Sequence, residues 1–112
     1  MVRRVSRDDW ARDKGWNGGW NGEEAGTSVS FIFSEVTDPG LGPRLHSHAY
    51  DEVHIVRGGR AWFQVGEEEF EAVEGDILVI PAGTPHKARS LGDLTEIISV
   101  SLSGRMVADW LE

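Results

Sequence analysis

Short segments of alternating apolar and polar residues, separated by Gly and Pro, make up the chain from residue 28 onward. In SVSFIFSEV, Phe31 and Phe33 share one face of a predicted strand and serines share the other, although Ile32 and Val36 interrupt the polar face. TEIISVSLS, residues 95–103, alternates in the same way. Many short strands, frequent turns and hardly any helix predict an all-β fold, an antiparallel sandwich or barrel.

The alternation also predicts which side chains line an interior pocket. No Lys or Arg falls on the predicted inward face, which makes the pocket apolar and unsuited to a phosphorylated or strongly anionic sugar. The predicted pocket-lining residues are Phe31, Phe33, Ile98, Val100 and Leu102.

One domain with an extension at each end is predicted. The 112 residues suffice for a single core, and residues 28–104 form the predicted β-barrel. Residues 1–27 are an N-terminal arm rich in Trp and Gly, whose indoles either cover the barrel or a partner subunit, or close over a binding pocket. Residues 105–112 are predicted to form a short C-terminal helix, capped by Ser103 and packed on the barrel through an apolar stripe.

Composition excludes several classes of partner. The chain has 19 acidic and 11 basic residues, a net charge of −8 and no basic cluster, so no nucleic acid is expected as a partner. It has no Cys, which excludes disulfides and thiolate metal sites. Because no segment approaches the roughly 20 apolar residues of a membrane helix and no apolar run follows the basic start, we expect no membrane contact, no signal peptide and a cytoplasmic location.

Three of the four histidines lie within nine residues, HSHAYDEVH, residues 46–54. Residues two apart on a strand point to the same side, roughly 6 to 7 Å from each other. His46 and His48 can therefore approach one ion together, Glu52 can face them from a neighbouring strand, and His86 follows a predicted buried strand. Such ligands suit one divalent ion of Fe, Mn, Ni, Co or Zn. The alternative is that the histidines are solvated loop residues or hydrogen-bonded core residues.

The coordination number determines what such an ion can do. Zinc held by four protein ligands in a tetrahedron would have no open position, as in structural zinc sites. A six-coordinate ion with the same ligands would keep two adjacent positions for water, dioxygen or a bidentate oxygen ligand.

The spacing of these residues resembles the two motifs of the cupin superfamily. Residues 40–59 read G-x5-H-S-H-x3-E-x6-G, and residues 75–86 read G-x5-P-A-G-x2-H. Together the motifs span about two fifths of the chain. Where an asparagine often follows the second-motif histidine by four residues, this chain has Ser90, which offers a short hydroxyl in place of an amide.

The resemblance implies a small single-domain cupin, an antiparallel β-barrel of the jelly-roll or double-stranded β-helix type, with one divalent metal ion per chain. The implied ligands are His46, His48, Glu52 and His86. The resemblance leaves the reaction open, because this fold carries dioxygenases, isomerases, epimerases, decarboxylases, lyases and non-catalytic binders.

An apolar pocket around an ion with open positions indicates a metal-dependent oxygenase acting on a small enolic, phenolic or diketone-like compound that chelates the metal through two oxygens. Glu52 would be a ligand, and a catalytic base if it releases the metal during turnover. The alternatives are a metal-dependent isomerase or lyase of a small oxygen-rich substrate, and a non-catalytic small-molecule-binding protein.

Two further expectations concern His54 and the assembly. His54 lies on the same strand face as Glu52 and is expected just below the metal, either as a core histidine bonded to a serine or backbone carbonyl, or as a catalytic proton carrier. A homodimer is expected because an aromatic arm of this length cannot all be buried against so small a core.

Overall fold

Two antiparallel five-stranded sheets form the fold in the computed structural model, which describes residues 1–92 and 94–112. A four-residue helix, α1 (Arg7–Trp10), precedes the first strand, and a 3-10 turn, Gly22–Ala25, follows it. The strands are β1 (Gly18–Trp20), β2 (Ser30–Val36), β3 (His46–Ser47), β4 (Glu52–Gly58), β5 (Arg60–Val65), β6 (Glu68–Val73), β7 (Ile77–Ile80), β8 (His86–Ser90), β9 (Thr95–Ser101) and β10 (Asp109–Trp110).

The strand order is β1-β2-β9-β4-β7 in the first sheet, sheet A, and β10-β3-β8-β5-β6 in the second, sheet B. Consecutive strands repeatedly cross from one sheet to the other, which is the jelly-roll arrangement that the family resemblance implies. The predicted all-β antiparallel fold is confirmed, and it is an open form of the barrel, since no ladder joins the two sheets within the described residues. The fold is a two-sheet sandwich with an interior space between the sheets.

The hydrophobic core occupies one end of this interior. Val56 from sheet A packs with Ala61, Phe63 and Ala72 from sheet B, and Phe70 stacks on Phe63 with ring centroids 5.9 Å apart. Full burial of a side chain such as Phe63 contributes about 1.5–3 kcal/mol to folding. The other end of the interior is left for the functional site.

The N-terminal arm extends sheet A and covers part of its outer face. β1 pairs with β2, so that Trp20 lies opposite Phe31. The indoles of Trp10 and Trp16 pack on Phe33, with ring centroids 4.5 and 5.6 Å away. Within the described residues, these indoles therefore cover the sandwich from outside rather than close over its interior.

The helix predicted for residues 105–112 is wrong. Residues 109–110 form β10, with Asp109 opposite Ser47 and Trp110 opposite His46 on β3. A helix of eight residues is marginal in water, whereas pairing with β3 satisfies backbone groups at an otherwise open sheet edge. In the described part of the chain, no helix has the length and apolar character needed to cross a membrane.

Candidate metal centre

Three histidines and one carboxylate meet inside the sandwich. Sheet B contributes His46 from β3 and His86 from β8, which are directly paired, while Glu52 begins β4 in sheet A. His48 lies in the connection between β3 and β4. One ring nitrogen each of His46, His48 and His86 lies within 4.8 Å of the others. The first- and second-motif histidines therefore converge, as the spacing of the sequence predicts.

Glu52 lies against this histidine cluster. Its Oε2 is 3.5 Å from Nε2 of His48, and its Oε1 is 3.3 Å from Nε2 of His86. The residues are well buried, with exposed fractions of 6% for His46, 4% for Glu52 and 3% for His86. Burying so many ionisable groups is costly unless they are paired or coordinate a cation.

The ring tautomers follow from the backbone contacts of the three histidines. Each Nδ1 lies within hydrogen-bond distance of a backbone carbonyl, which can only accept, so each neutral ring carries its proton on Nδ1 and donates it. The contacts are Arg44 O at 2.6 Å from His46, Val107 O at 2.7 Å from His48 and Thr84 O at 2.9 Å from His86. The Nε2 lone pairs are thereby left for another partner.

Two of those Nε2 atoms, on His48 and His86, are buried and have no hydrogen-bond partner within the described structure. Buried polar atoms without a partner are rare in folded proteins. A ring that donates Nδ1–H to a carbonyl while its Nε2 stays free is the arrangement in which histidine ligates metals. The donor set fits a divalent cation, and these residues could hold one.

Electrostatics keep the carboxylate ionised. Burial would raise the pKa of Glu52, but the hydrogen bond from His54 and the nearby imidazoles of His86 and His48 outweigh it and hold that pKa far below its usual range. Burial would lower the pKa of His86, yet the Glu52 carboxylate and the Thr84 carbonyl raise it. For His46, burial dominates and lowers the pKa, which favours the neutral ring that binds a cation.

His54 has the opposite tautomer. Its Nε2 lies 2.9 Å from Oε1 of Glu52, which can only accept, so Nε2 carries the proton. Its Nδ1 then accepts the hydroxyl hydrogen of Ser99 at 2.8 Å. His54 thus lies beside the cluster, bonded to a serine, and orients Glu52 through a charge-assisted hydrogen bond.

A cavity of about 330 Å³ adjoins the cluster between the two sheets. Apolar residues such as Ile32, Val36 and Ile97 form its walls, with the hydroxyls of Ser34 and Thr95 among them. Pockets that bind small molecules typically measure about 300–1,000 Å³, so this cavity suits a small ligand.

The pocket-lining prediction chose the wrong strand faces. Phe31 and Phe33 point away from the cavity and pack under the tryptophans of the arm. Their neighbours on β9 share that outer face, because Val100 is opposite Phe31 and Ile98 is opposite Phe33, and Leu102 lies beyond the strand and is half exposed. The arm buries the phenylalanine face from outside, so the mixed face of Ile32, Ser34 and Val36 turns inward.

One basic residue, Arg89, borders the cavity among the described residues. It is exposed, and its guanidinium lies over the ring of Trp62, 4.2 Å from the centroid. The cavity itself is therefore apolar and uncharged away from the histidine cluster.

Sequence reasoning missed the residues at the C-terminal side of the cavity. Met106, Val107 and Trp110 line it, and the ring of Trp110 lies 4.9 Å from that of His46. Tyr50 stacks on His48 with ring centroids 4.9 Å apart, and burial raises the pKa of its hydroxyl, which stays protonated. Tyr50 could be predicted as a site residue from the sequence, because it lies inside the HSHAYDEVH stretch. The sequence gives no comparable indication for the C-terminal residues.

The fold and the cluster define a jelly-roll protein whose interior residues can hold a metal ion. Its sequence matches the family described as "Cupin domain" over residues 33–101, more than half of the chain. The chain belongs to this family.

One relative matches just over half of the chain. An uncharacterized protein of Streptomyces coelicolor is 33% identical over 63 residues, which cover 56% of this chain and 60% of that protein. The chain thus spans less than two thirds of that relative's length.

Two solved structures share the fold. An oxalate decarboxylase mutant from Bacillus subtilis superposes with a TM-score of 0.82 at 20% identity, covering 99% of this chain and 33% of that one. KdgF from Halomonas sp. gives 0.64 at 22% identity, covering 70% and 71%. At these identities the likeness concerns the fold alone.

Proposed function

We propose that the chain is a metal-dependent oxygenase of a small enolic, phenolic or diketone-like compound. One observation carries this proposal, namely that three imidazoles and one carboxylate converge at an apolar cavity of about 330 Å³. The proposed ligands of one divalent ion per chain are His46, His48, Glu52 and His86.

The free Nε2 atoms of His48 and His86 support this ligand set, because a cation would supply the partner that they lack. A divalent ion bound there would supply Lewis-acid chemistry toward a chelating ligand and, as iron, redox chemistry toward dioxygen. Four protein ligands of a six-coordinate ion leave two positions for such a ligand.

The chain's own residues select the substrate. The cavity walls are apolar, and within the described residues no basic side chain points from them to bind a phosphate or a second carboxylate. Ser34 and Thr95 can orient one polar group at the wall. These features favour a neutral, compact compound whose oxygens are at one end.

An isomerase or lyase would need a group in the cavity that is free to accept and return a proton. Apart from the proposed ligands, His54 is the candidate among the described cavity residues, and both of its ring nitrogens are engaged, with Glu52 and with Ser99. Glu52 itself would have to leave the metal to act as a base. The geometry therefore favours chemistry performed at the metal.

The test is oxygen consumption by metal-loaded protein. The chain would be purified without added metal, and its metal content would be measured by elemental analysis. It would then be loaded anaerobically with Fe(II), Mn(II), Ni(II), Co(II) or Zn(II). Each loaded form would be mixed with catechols, enols and β-diketones in an oxygen-electrode cell. We expect uptake stoichiometric with product for at least one compound with the iron form, and none for His86→Ala. Conversion without oxygen uptake would replace the proposal by an isomerase or lyase, and tight binding without conversion would replace it by a binding protein.

A further inference from the structure

The C-terminal residues 105–111, here called the C-terminal strap, run along the cavity beside the histidine cluster. The strap is fixed at both ends, because the backbone N–H of Met106 donates to Oδ1 of Asn21 at 2.9 Å and that of Leu111 donates to the Leu45 carbonyl at 2.9 Å. Between these points, Val107 and Trp110 line the cavity. The strap is thus part of the wall around the site.

The three histidines differ in how their rings are oriented. The carbonyl that holds His46 belongs to Arg44, and the one that holds His86 belongs to Thr84, each two residues earlier on the same segment. The carbonyl that holds His48 belongs to Val107, which is 59 residues away in the sequence. Local backbone therefore presets two rings, whereas the third depends on the strap.

Tyr50 connects His48 to the strap. Its hydroxyl accepts a hydrogen bond from the backbone N–H of Val107 at 3.0 Å and donates to the Val107 carbonyl at 3.1 Å. Its ring stacks on that of His48, with an interplanar angle of 23°. One side chain thus contacts both the proposed ligand and the peptide group that orients it.

We propose that Tyr50 is a positioning residue whose hydroxyl holds the Val107 peptide in place, so that the C-terminal strap sets the orientation and the metal affinity of His48. This inference rests on the proposed metal site. The physical reason is that His48 presents Nε2 to the cluster only while Nδ1 has a fixed acceptor, and within the described contacts Val107 O is that acceptor. Outer hydrogen bonds of this kind typically change metal affinity about 10- to 100-fold.

Tyr50→Phe isolates the hydroxyl, because the aromatic ring that stacks on His48 is kept. Calorimetric titration of the metal-free chain with Co(II) should give a dissociation constant about 10- to 100-fold higher than that of the wild type. The matched control is Arg105→Ala, which breaks the 2.8 Å ion pair of the strap with Glu23 without touching His48. The control should bind Co(II) with wild-type affinity.

A second readout needs no metal. Long-range ¹H–¹⁵N NMR of the metal-free wild type should show His48 as the Nδ1–H tautomer, and Tyr50→Phe should convert His48 to a mixture of tautomers while His46 and His86 stay unchanged. If the wild type binds no Co(II), the proposed metal site fails, and the tautomer of His48 alone decides the positioning role. Wild-type affinity and an unchanged tautomer in Tyr50→Phe would overturn the inference. An equal loss of affinity in Arg105→Ala would assign the effect to the strap as a whole and overturn the specific role of the Tyr50 hydroxyl.

Discussion

Replacing His54 by Phe probes the hydrogen-bond chain that orients Glu52. The wild-type ring donates from Nε2 to Glu52 Oε1 at 2.9 Å and accepts at Nδ1 from Ser99 Oγ at 2.8 Å. Both partners are buried, with exposed fractions of 4% for Glu52 and 7% for Ser99. His54→Phe therefore removes a donor from a buried carboxylate and an acceptor from a buried hydroxyl, while it keeps an aromatic ring beside Phe63.

The size of the effect follows from these two losses. A hydrogen bond to a charged group contributes about 1.5–3 kcal/mol, and a buried hydroxyl left without a partner costs about 1–3 kcal/mol. The additional apolar surface of the phenyl ring offsets roughly 1 kcal/mol. We therefore expect His54→Phe to lower the free energy of unfolding of the metal-free chain by about 1.5–5 kcal/mol.

Urea unfolding followed by tryptophan fluorescence measures this loss. The double variant His54→Phe/Ser99→Ala should recover about 1 kcal/mol, because it removes the unpaired hydroxyl. A loss below about 1 kcal/mol, or no recovery in the double variant, would refute the hydrogen-bond chain. With the metal in excess, metal content should stay near that of the wild type, because His54→Phe removes an outer hydrogen bond and no ligand. If the metal is lost even in excess, His54 is a ligand and the assignment of Glu52 has to be abandoned.

Two further predictions concern the backbone and the assembly. Gly59→Ala should destabilise the chain by at least about 2 kcal/mol more than Gly75→Ala in the same urea assay. Both glycines have positive φ, but an added Cβ at Gly59 would lie 2.8 Å from Thr95 Cα, whereas at Gly75 it would meet no atom within 4 Å. Equal losses would contradict the close approach at Gly59. We also expect sedimentation velocity to show a homodimer at micromolar concentration, formed by the N-terminal arm and the outer face of sheet A. On that face, Ile77 and Val79 of edge strand β7 are 64% and 65% exposed, so Ile77→Lys/Val79→Lys should yield monomers. A wild-type monomer unchanged by deletion of residues 1–26 would rule the dimer out.

The sequence predicts the histidine cluster well because motif spacing and turn residues together determine which residues meet. His46 and His86 are paired directly across β3 and β8, and Glu52 begins the strand that faces them. These positions depend on strand length and on loops whose glycines and prolines are visible in the sequence. The family resemblance rests on the same residues, and the match over residues 33–101 confirms it.

The choice of strand face could not be made from alternation alone. A period of two separates Phe31 and Phe33 from Ile32, but it does not say which set turns inward. The answer depends on the N-terminal arm, because its tryptophans cover the phenylalanine face from outside. A strand that is covered by the arm on one side and faces the cavity on the other needs apolar residues on both faces. Ile32, an apolar residue on the otherwise polar face, is the sequence feature that indicates this.

The sequence also could not predict the backbone contacts of the histidines or the strand in the C-terminal segment. The carbonyl of Val107 orients His48 as a peptide group, and any residue type offers the same acceptor. Trp110 lies on an apolar stripe that fits a helix as well as a strand, and its pairing with β3 is a long-range contact. Local patterns carry no information about such partners.

Metal binding by the wild type and by single-ligand variants tests the central claim most directly. Metal-free wild type, His48→Ala and His86→Ala would be titrated with Co(II), and the bound metal would be counted by elemental analysis after gel filtration. The account predicts one ion per chain for the wild type and at least about tenfold weaker binding for each variant, because each loses one of the few protein ligands. Equal metal content in all three proteins would contradict it.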